Sequence, residues 1–274
     1  MFPFAQENSA VLTGTGKFQS GFTLIELIAV IVILSILATI GTGFVVKTTE
    51  SYQRTQTRAL LVNTSRQALE RMTRQLRVAL PYSVRLTNGG SCIEFMPIVA
   101  GGSYFDPVSD KTNDPTNATP LSKLTSVRAS AIQIDFGTAF YVTIGAMSDA
   151  EIYGTTNTSI TSFAGYSGGA LQLNPAKRWQ RNSLAKRYYL LDKPQAFCAV
   201  DNELRFYEGV DIGSTDVNLV DSHSIIARNV SGNTPFSLQM GTENSSSRVD
   251  ITLDFSSGGE TINFSQGVFI RNVP

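Results

Sequence analysis

Residues 21–46 read GFTLIELIAVIVILSILATIGTGFVV, and from 27 to 46 this stretch holds no charge and only Ser35, Thr39 and Thr42 as mildly polar side chains. Nothing ionisable follows until Lys47. At about 1.5 Å rise per residue, some twenty helical positions span roughly 30 Å, the hydrocarbon thickness of a bilayer. The stretch therefore predicts a helix that crosses a membrane once. No second run of comparable length follows, which puts the remaining residues on one aqueous side. A cleaved secretory signal has an apolar region of about 7 to 15 residues and an A-x-A-like exit; this run is longer and has no such exit.

Two residues on the N-terminal side give the run its meaning. Glu26 sits almost inside it, and Gly21 stands just before Phe22. A carboxylate at the edge of hydrocarbon costs several kcal/mol unless a counter-charge meets it, so such acids mark function. A cut between Gly21 and Phe22 would create an α-amine four residues from Glu26, and an α-amine with its ordinary pKa of about 8 is cationic at neutral pH. Glu26 could meet that amine within its own first turn, or meet the amine of a neighbouring subunit whose helix is offset axially. In the second case neutralisation between chains sets their stagger.

Gly21-Phe22-Thr23-Leu24-Ile25-Glu26 followed by the apolar run resembles the class III signal of type IV pilins and type II secretion pseudopilins. The resemblance implies a leader peptide over 1–21, cleavage between Gly21 and Phe22 by prepilin peptidase, and N-methylation of Phe22. It also implies that Phe22 and Glu26 act in subunit assembly. The leader carries only Glu7 and Lys17 as charges, whereas such leaders are short and basic; a start near Val11 or Leu12 would give the usual length, with Lys17 as its positive charge.

Beyond Lys47 the sequence TTESYQRTQTRALLVNTSRQALERMTRQLRVALP places Leu61, Ala68, Met72, Leu76 and Ala79 at helical spacings. Pro81 disfavours helix at Leu80 and provides a stop. The expectation is one helix over 22–80, about 80 Å long, with 22–46 as its membrane and fibre-core part. Such a helix resembles the pilin spine. Arg54, Arg58, Arg66, Arg71, Arg74 and Arg77 face only Glu50 and Glu70, which reads as a solvated face with Arg stems covering a sheet edge, or as a surface for acidic partner subunits.

From Tyr82 onward the period becomes two. Val249, Ile251, Leu253 and Phe255 alternate with polar residues, and Ser-Ser-Gly-Gly leads into ETINF, a hairpin pattern. Strand signals also occur at 91–99, 130–136, 139–144, 186–192, 195–200, 203–209, 224–230 and 235–240, with Asp201-Asn202 as a turn. Stretches 101–120 and 153–169, rich in Gly, Ser, Thr, Asn, Asp and Pro, read as loops and as candidates for a partner-specific surface. The fold expected is α+β and pilin-like: a long N-terminal helix packed on an antiparallel β-sheet domain over 81–274, exported to the periplasm. There Cys92 and Cys198 most simply pair, closing a loop of about 107 residues for about 4 to 5 kcal/mol in the chain-entropy view.

With 42% hydrophobic residues and 22 Lys+Arg against 22 Asp+Glu, the 274-residue chain is neither disordered nor basic enough for its whole surface to attract nucleic acid. One His and two Cys leave too few ligands for a Cys/His zinc site, and no cofactor or metal is expected. GGSCIEFMP, KRYYLLDKPQAFCAVDNELRFYEG and the closing VDITLDF hairpin resemble the larger minor pilins, above all those of mannose-sensitive haemagglutinin (MSHA) pili and more distantly the J-type pseudopilins. This implies a non-enzymatic subunit that helps start pilus assembly. Its partners would be other major and minor pilins, prepilin peptidase and the inner-membrane assembly platform. It would begin as a single-pass inner-membrane protein and end in a cell-surface pilus.

Three weaker patterns have blander readings. Gly165-Tyr166-Ser167-Gly168-Gly169 matches G-x-S-x-G with Asp192 and His223 downstream, but no helical period follows the serine, as a nucleophile elbow requires. Asp106, Asp110, Asn113 and Asp114 form an oxygen-rich loop without EF-hand spacing. Lys177, Arg178, Arg181, Lys186 and Arg187 lie among Trp179, Tyr188 and Tyr189, a cluster that could stack on nucleic acid or carbohydrate but reads more simply as a strand edge with its aromatics turned inward.

Overall fold

The computed structural model describes residues 21–111, 123–134, 137–232, 234–241 and 245–270. Among the described residues one α-helix, α1, runs Leu24–Arg77 over 54 residues, and every β ladder after it is antiparallel. The α+β class expected from the period change is what the chain adopts. It divides into two compact units, Met1–Gln53 and Arg54–Pro274.

In the first unit the described residues are helix preceded by Gly21, Phe22 and Thr23, and all of them are exposed. The hydroxyls of this segment bond back to the helix's own carbonyls: Ser35 to Ile31 at 2.7 Å, Thr39 to Ile36 at 2.8 Å and Thr42 to Ala38 at 2.8 Å. A polar side chain satisfied inside its own helix suits surroundings without water.

In the second unit α1 buries Leu61, Ser65, Ala68, Leu69, Met72, Thr73 and Leu76, a stripe of period 3.6. Arg54, Arg58, Arg66, Arg74 and Arg77 stay exposed, while Arg71 is half-buried, with its guanidinium 5.2 Å from the Phe206 ring centre. The helix ends at Arg77, short of the stop expected from Pro81. The reason is that Val78 and Leu80 are taken into a ladder: Ile98 N–H donates to the Val78 carbonyl (2.9 Å) and Leu80 N–H to the Met96 carbonyl (2.9 Å).

Among the described residues three sheets follow. The first orders β1 (Arg85–Thr87), β2 (Cys92–Phe95), β9 (Gln195–Val200), β10 (Glu203–Glu208) and β11 (His223–Arg228) as β1-β2-β9-β10-β11. The second is built on β14 (Ser247–Ser257), which pairs with β12 (Val230–Ser231) and β13 (Phe236–Gln239) on one side and β15 (Glu260–Ile270) on the other. The α1 stripe and the inner faces of these two sheets make one core, in which Met72 and Leu76 join Ile93, Phe197, Phe206, Ile251 and Leu253. The third sheet orders β3 (Ile98–Ser103), β8 (Arg187–Leu191), β5 (Tyr141–Thr143), β6 (Ile160–Ser167), β7 (Ala170–Lys177) and β4 (Leu124–Arg128) as β3-β8-β5-β6-β7-β4, around a second core that includes Trp179, Tyr188 and Leu190.

Three sequence expectations fail, wholly or in part, in the third sheet. The stretch 153–169 is not all loop, because Ile160–Ser167 forms β6 and turns through Gly168 and Gly169, both at positive φ, into β7. Its Ser, Thr and Gly content masked the Ile160, Thr161, Phe163 and Tyr166 that suit a pleated surface. Conversely, 131–134 are irregular and the strand lies upstream at Leu124–Arg128, while 135–136 fall outside the described residues. Of the loop expected over 101–120, the first three residues continue β3, and 112–120 fall outside the described residues.

Candidate functional site

The N-terminal segment is built by an N-cap. Thr23 precedes α1, and Glu26 N–H donates both to the Thr23 carbonyl (3.1 Å) and, at 3.4 Å, to the Thr23 hydroxyl. Thr23-x-x-Glu26 is thus a capping-box pattern, and it places the Glu26 carboxylate in the first turn, where the helix dipole favours negative charge. That T-x-x-E spacing is a signal carried by the sequence itself. Gly21 has open space around its Cα, and Phe22 is 78% exposed. From Phe22 to Val46 the large apolar side chains are exposed on every side of the helix. A continuous apolar surface of this size marks a membrane or protein contact. Among the described residues α1 is the one helix long and apolar enough to cross a membrane.

Cys92 and Cys198 stand opposite each other on β2 and β9 and are joined by a disulfide. The bridge lies in a small core with Ala196, Tyr207, Val210 and Val217. Next to it is a group that sequence reading missed. Glu94 on β2 is fully buried, and one oxygen, Oε2, accepts from Arg85 Nε (3.0 Å) and Nη2 (2.8 Å). The same guanidinium donates to the Ser214 carbonyl (2.6 Å) and lies 3.8 Å over the Tyr153 ring, whose hydroxyl donates to the Ser83 carbonyl at 2.8 Å. Glu94 Oε1 has no hydrogen-bond partner. Burial pushes the Glu94 carboxyl up to about 7, against the pull of Arg85. A charge inside the apolar run CIEFMP was the available signal.

The weaker patterns are dispersed. Ser167 ends β6 and passes through a tight turn into another strand, so no nucleophile elbow forms. His223 lies in a different sheet, its Nδ1 2.9 Å from the Asp221 carbonyl oxygen and its ring against Tyr207. Asp106 pairs with Arg128 at 3.3 Å, and the Asp110 carboxylate accepts from Asn182 N–H at 3.0 Å. Asn113 and Asp114 lie outside the described residues, among which no cluster of three acidic, His or Cys side chains stands together. In the basic-aromatic stretch Trp179 and Tyr188 are buried in the second core, and Arg178 is buried against the Asp110 carbonyl. Lys177 donates to the Asn157 carbonyl and burial lowers its pKa to about 8. Arg181 grips Glu151 with two 2.7 Å bonds, which hold the Glu151 carboxyl below its usual range despite burial. Only Arg181, Arg187 and Tyr189 meet at one cavity, of about 250 Å³, beside Tyr82 and the 90%-exposed Leu184.

The family model of the prokaryotic N-terminal methylation motif matches residues 16–42. No curated protein and no solved structure matches the chain. The matched residues are a type IV pilin-like prepilin signal, and with α1 they support a membrane-anchored protein of the type IV pilin superfamily, pseudopilins included. The motif points to a structural protein that associates with other pilins and with prepilin peptidase.

Proposed function

We propose that the chain is a minor pilin of the MSHA type, resembling MshO, that takes part in starting pilus assembly. Prepilin peptidase cuts between Gly21 and Phe22, and Phe22 is N-methylated. The segment 22–46 first crosses the inner membrane, with the β-rich domain in the periplasm, and then packs in the fibre core. Glu26 neutralises the terminal amine of an adjacent subunit. The observation that supports this reading is the methylation-motif match over 16–42, which takes in the start of a helix whose first turn carries Glu26 and whose apolar surface has no cover from the described residues. The GGSCIEFMP and KRYYLLDKPQAFCAV stretches add the minor-pilin likeness.

Mass spectrometry of the mature protein tests it. The expected N-terminal peptide begins with N-methylated Phe22, and a mature chain beginning elsewhere overturns the reading. Glu26→Ala is expected to abolish incorporation into fibres while membrane insertion stays normal. Lost secretion with pili intact would assign the chain to a type II secretion pseudopilus instead.

A further inference from the structure

The last described strand, β15, is an edge. Its one ladder among the described residues is to β14. Thr252 N–H donates to the Pro235 carbonyl at 2.8 Å and Ser256 N–H to the Asn229 carbonyl at 2.9 Å. Even-numbered residues of β14 therefore turn their backbone groups toward β12 and β13, and odd-numbered ones toward β15. With Leu253 opposite Phe264 and Ile251 opposite Gln266, the even-numbered residues of β15 are the bonded ones. The N–H and C=O groups of Thr261, Asn263, Ser265, Gly267 and Phe269 then point out from the sheet. An 11-residue strand is long for an open edge, and this one carries no Lys or Pro, the residues that usually block further pairing.

A basic groove runs beside that edge. It has a volume of about 420 Å³ and lies between α1 and β15, with Arg66, Arg74 and Arg77 facing a single acid, Glu70, and Phe264 to Gln266 forming the strand side. The three arginines are exposed and form no ion pair among the described residues. Thr73, also on the groove, is 7% exposed, and its buried hydroxyl has no hydrogen-bond partner. By contrast, Ser65 one face-length earlier bonds back to the Leu61 carbonyl at 2.7 Å.

We propose that the open edge of β15 and the Arg66, Arg74 and Arg77 groove are a docking site for an extended acidic strand of a partner protein. The strand adds to β15 through backbone hydrogen bonds and turns alternate carboxylates toward the guanidinium groups. A second copy of this chain fits poorly, since its own β15 brings one acid, Glu260. Nucleic acid would satisfy the arginines but not the alternating row of donors and acceptors on the strand. The proposal stands independently of how the N-terminus is processed.

The test uses the full chain in detergent micelles and a fluorescein-labelled decapeptide of alternating Asp and Val, read by anisotropy. Expected are saturable binding, a Kd at least ten-fold higher for Arg66→Glu/Arg74→Glu and for Ser265→Pro, and slowed hydrogen exchange at Thr261, Asn263, Ser265, Gly267 and Phe269 on binding. Proline at 265 removes an outward N–H and the exposed 3.3 Å contact of the Ser265 and Thr252 hydroxyls, but no backbone bond of the ladder to β14. On the wild-type chain, the same peptide N-methylated at every second amide is expected to bind at least ten-fold more weakly, which keeps the test valid should a variant misfold. The proposal is overturned by an absence of saturable binding or by equal binding of an alternating Lys-Val peptide. It is equally overturned by equal binding of the N-methylated peptide, by displacement with a fifteen-nucleotide oligo-dT at the same concentration as unlabelled peptide, or by a β15-dependent dimer that the Arg-to-Glu changes do not affect.

Discussion

Stability should fall as pH rises from 5 to 7.5, and Glu94 should be the cause. Its carboxyl titrates at about 7 in the folded chain against 4.5 for the unperturbed group. Between those values the folded state holds a proton that the unfolded state has released, so the stabilisation is complete below 4.5 and is lost as pH climbs through 7. Integrating that difference from pH 5 to 7.5 gives a loss of about 2 kcal/mol. Arg85 limits the shift without cancelling it, because both its bonds go to Oε2 while Oε1 stays buried and unpartnered. Urea unfolding of the full chain in micelles, followed by the fluorescence of the lone, buried Trp179, would supply the two free energies. Glu94→Gln keeps the shape and cannot ionise, so its stability should lose this pH dependence. Equal slopes in the wild type and Glu94→Gln, or a wild type that gains stability over this range, would refute the argument.

Met72→Ala and Leu76→Ala each empty a fully buried site where α1 meets both sheets, and each should lower the unfolding free energy by about 2 to 5 kcal/mol in the same urea assay. Replacing Cys92 and Cys198 by Ser opens a loop with a sequence separation of 106 residues. The expected loss is about 5 kcal/mol, visible as a lower urea midpoint; a reduced chain as stable as the oxidised one would contradict it. Because 27–46 is apolar on every side, Ile33→Arg, Leu34→Arg and Ile36→Arg should each raise the insertion free energy by about 3 kcal/mol. Gln67→Arg, on the exposed face of α1, should leave insertion unchanged, and a membrane-insertion assay reads both.

Much of the architecture was legible because burial writes itself into period. Val249, Ile251, Leu253 and Phe255 alternate in sequence and are all fully buried, and Asp201 and Asn202, both at positive φ, make the turn between β9 and β10. What failed to show was set by neighbours distant in sequence. β6 looks like loop until β7 supplies its partner. By contrast, Trp179 and Tyr188, legible as turned inward beside five cations, are buried in the second core, Tyr188 from β8 and Trp179 from an isolated bridge to Asp110. Glu94 is a single charge in an apolar run, and nothing local to it shows that β2 is covered on both faces and lies between β1 and β9. At the N-terminus the local pattern carried more, because a cap such as Thr23-x-x-Glu26 is complete within one turn.

The two parts of α1 obey different rules, and that difference bears on function more than any pocket does. A helix with one apolar stripe, as from Leu61 to Leu76, can be satisfied by a single sheet surface, and its own chain provides one. A helix apolar around its whole circumference cannot be satisfied that way, since one neighbour covers only one side. Its stable settings are lipid or a bundle of like helices, and the hydroxyls of Ser35, Thr39 and Thr42, already bonded within α1, ask nothing of either. Movement between lipid and bundle then leaves the apolar contribution nearly unchanged, because hydrocarbon and packed side chains are alike in polarity. On the proposed function, the choice falls to the few polar groups at the helix start, which is where Glu26 stands.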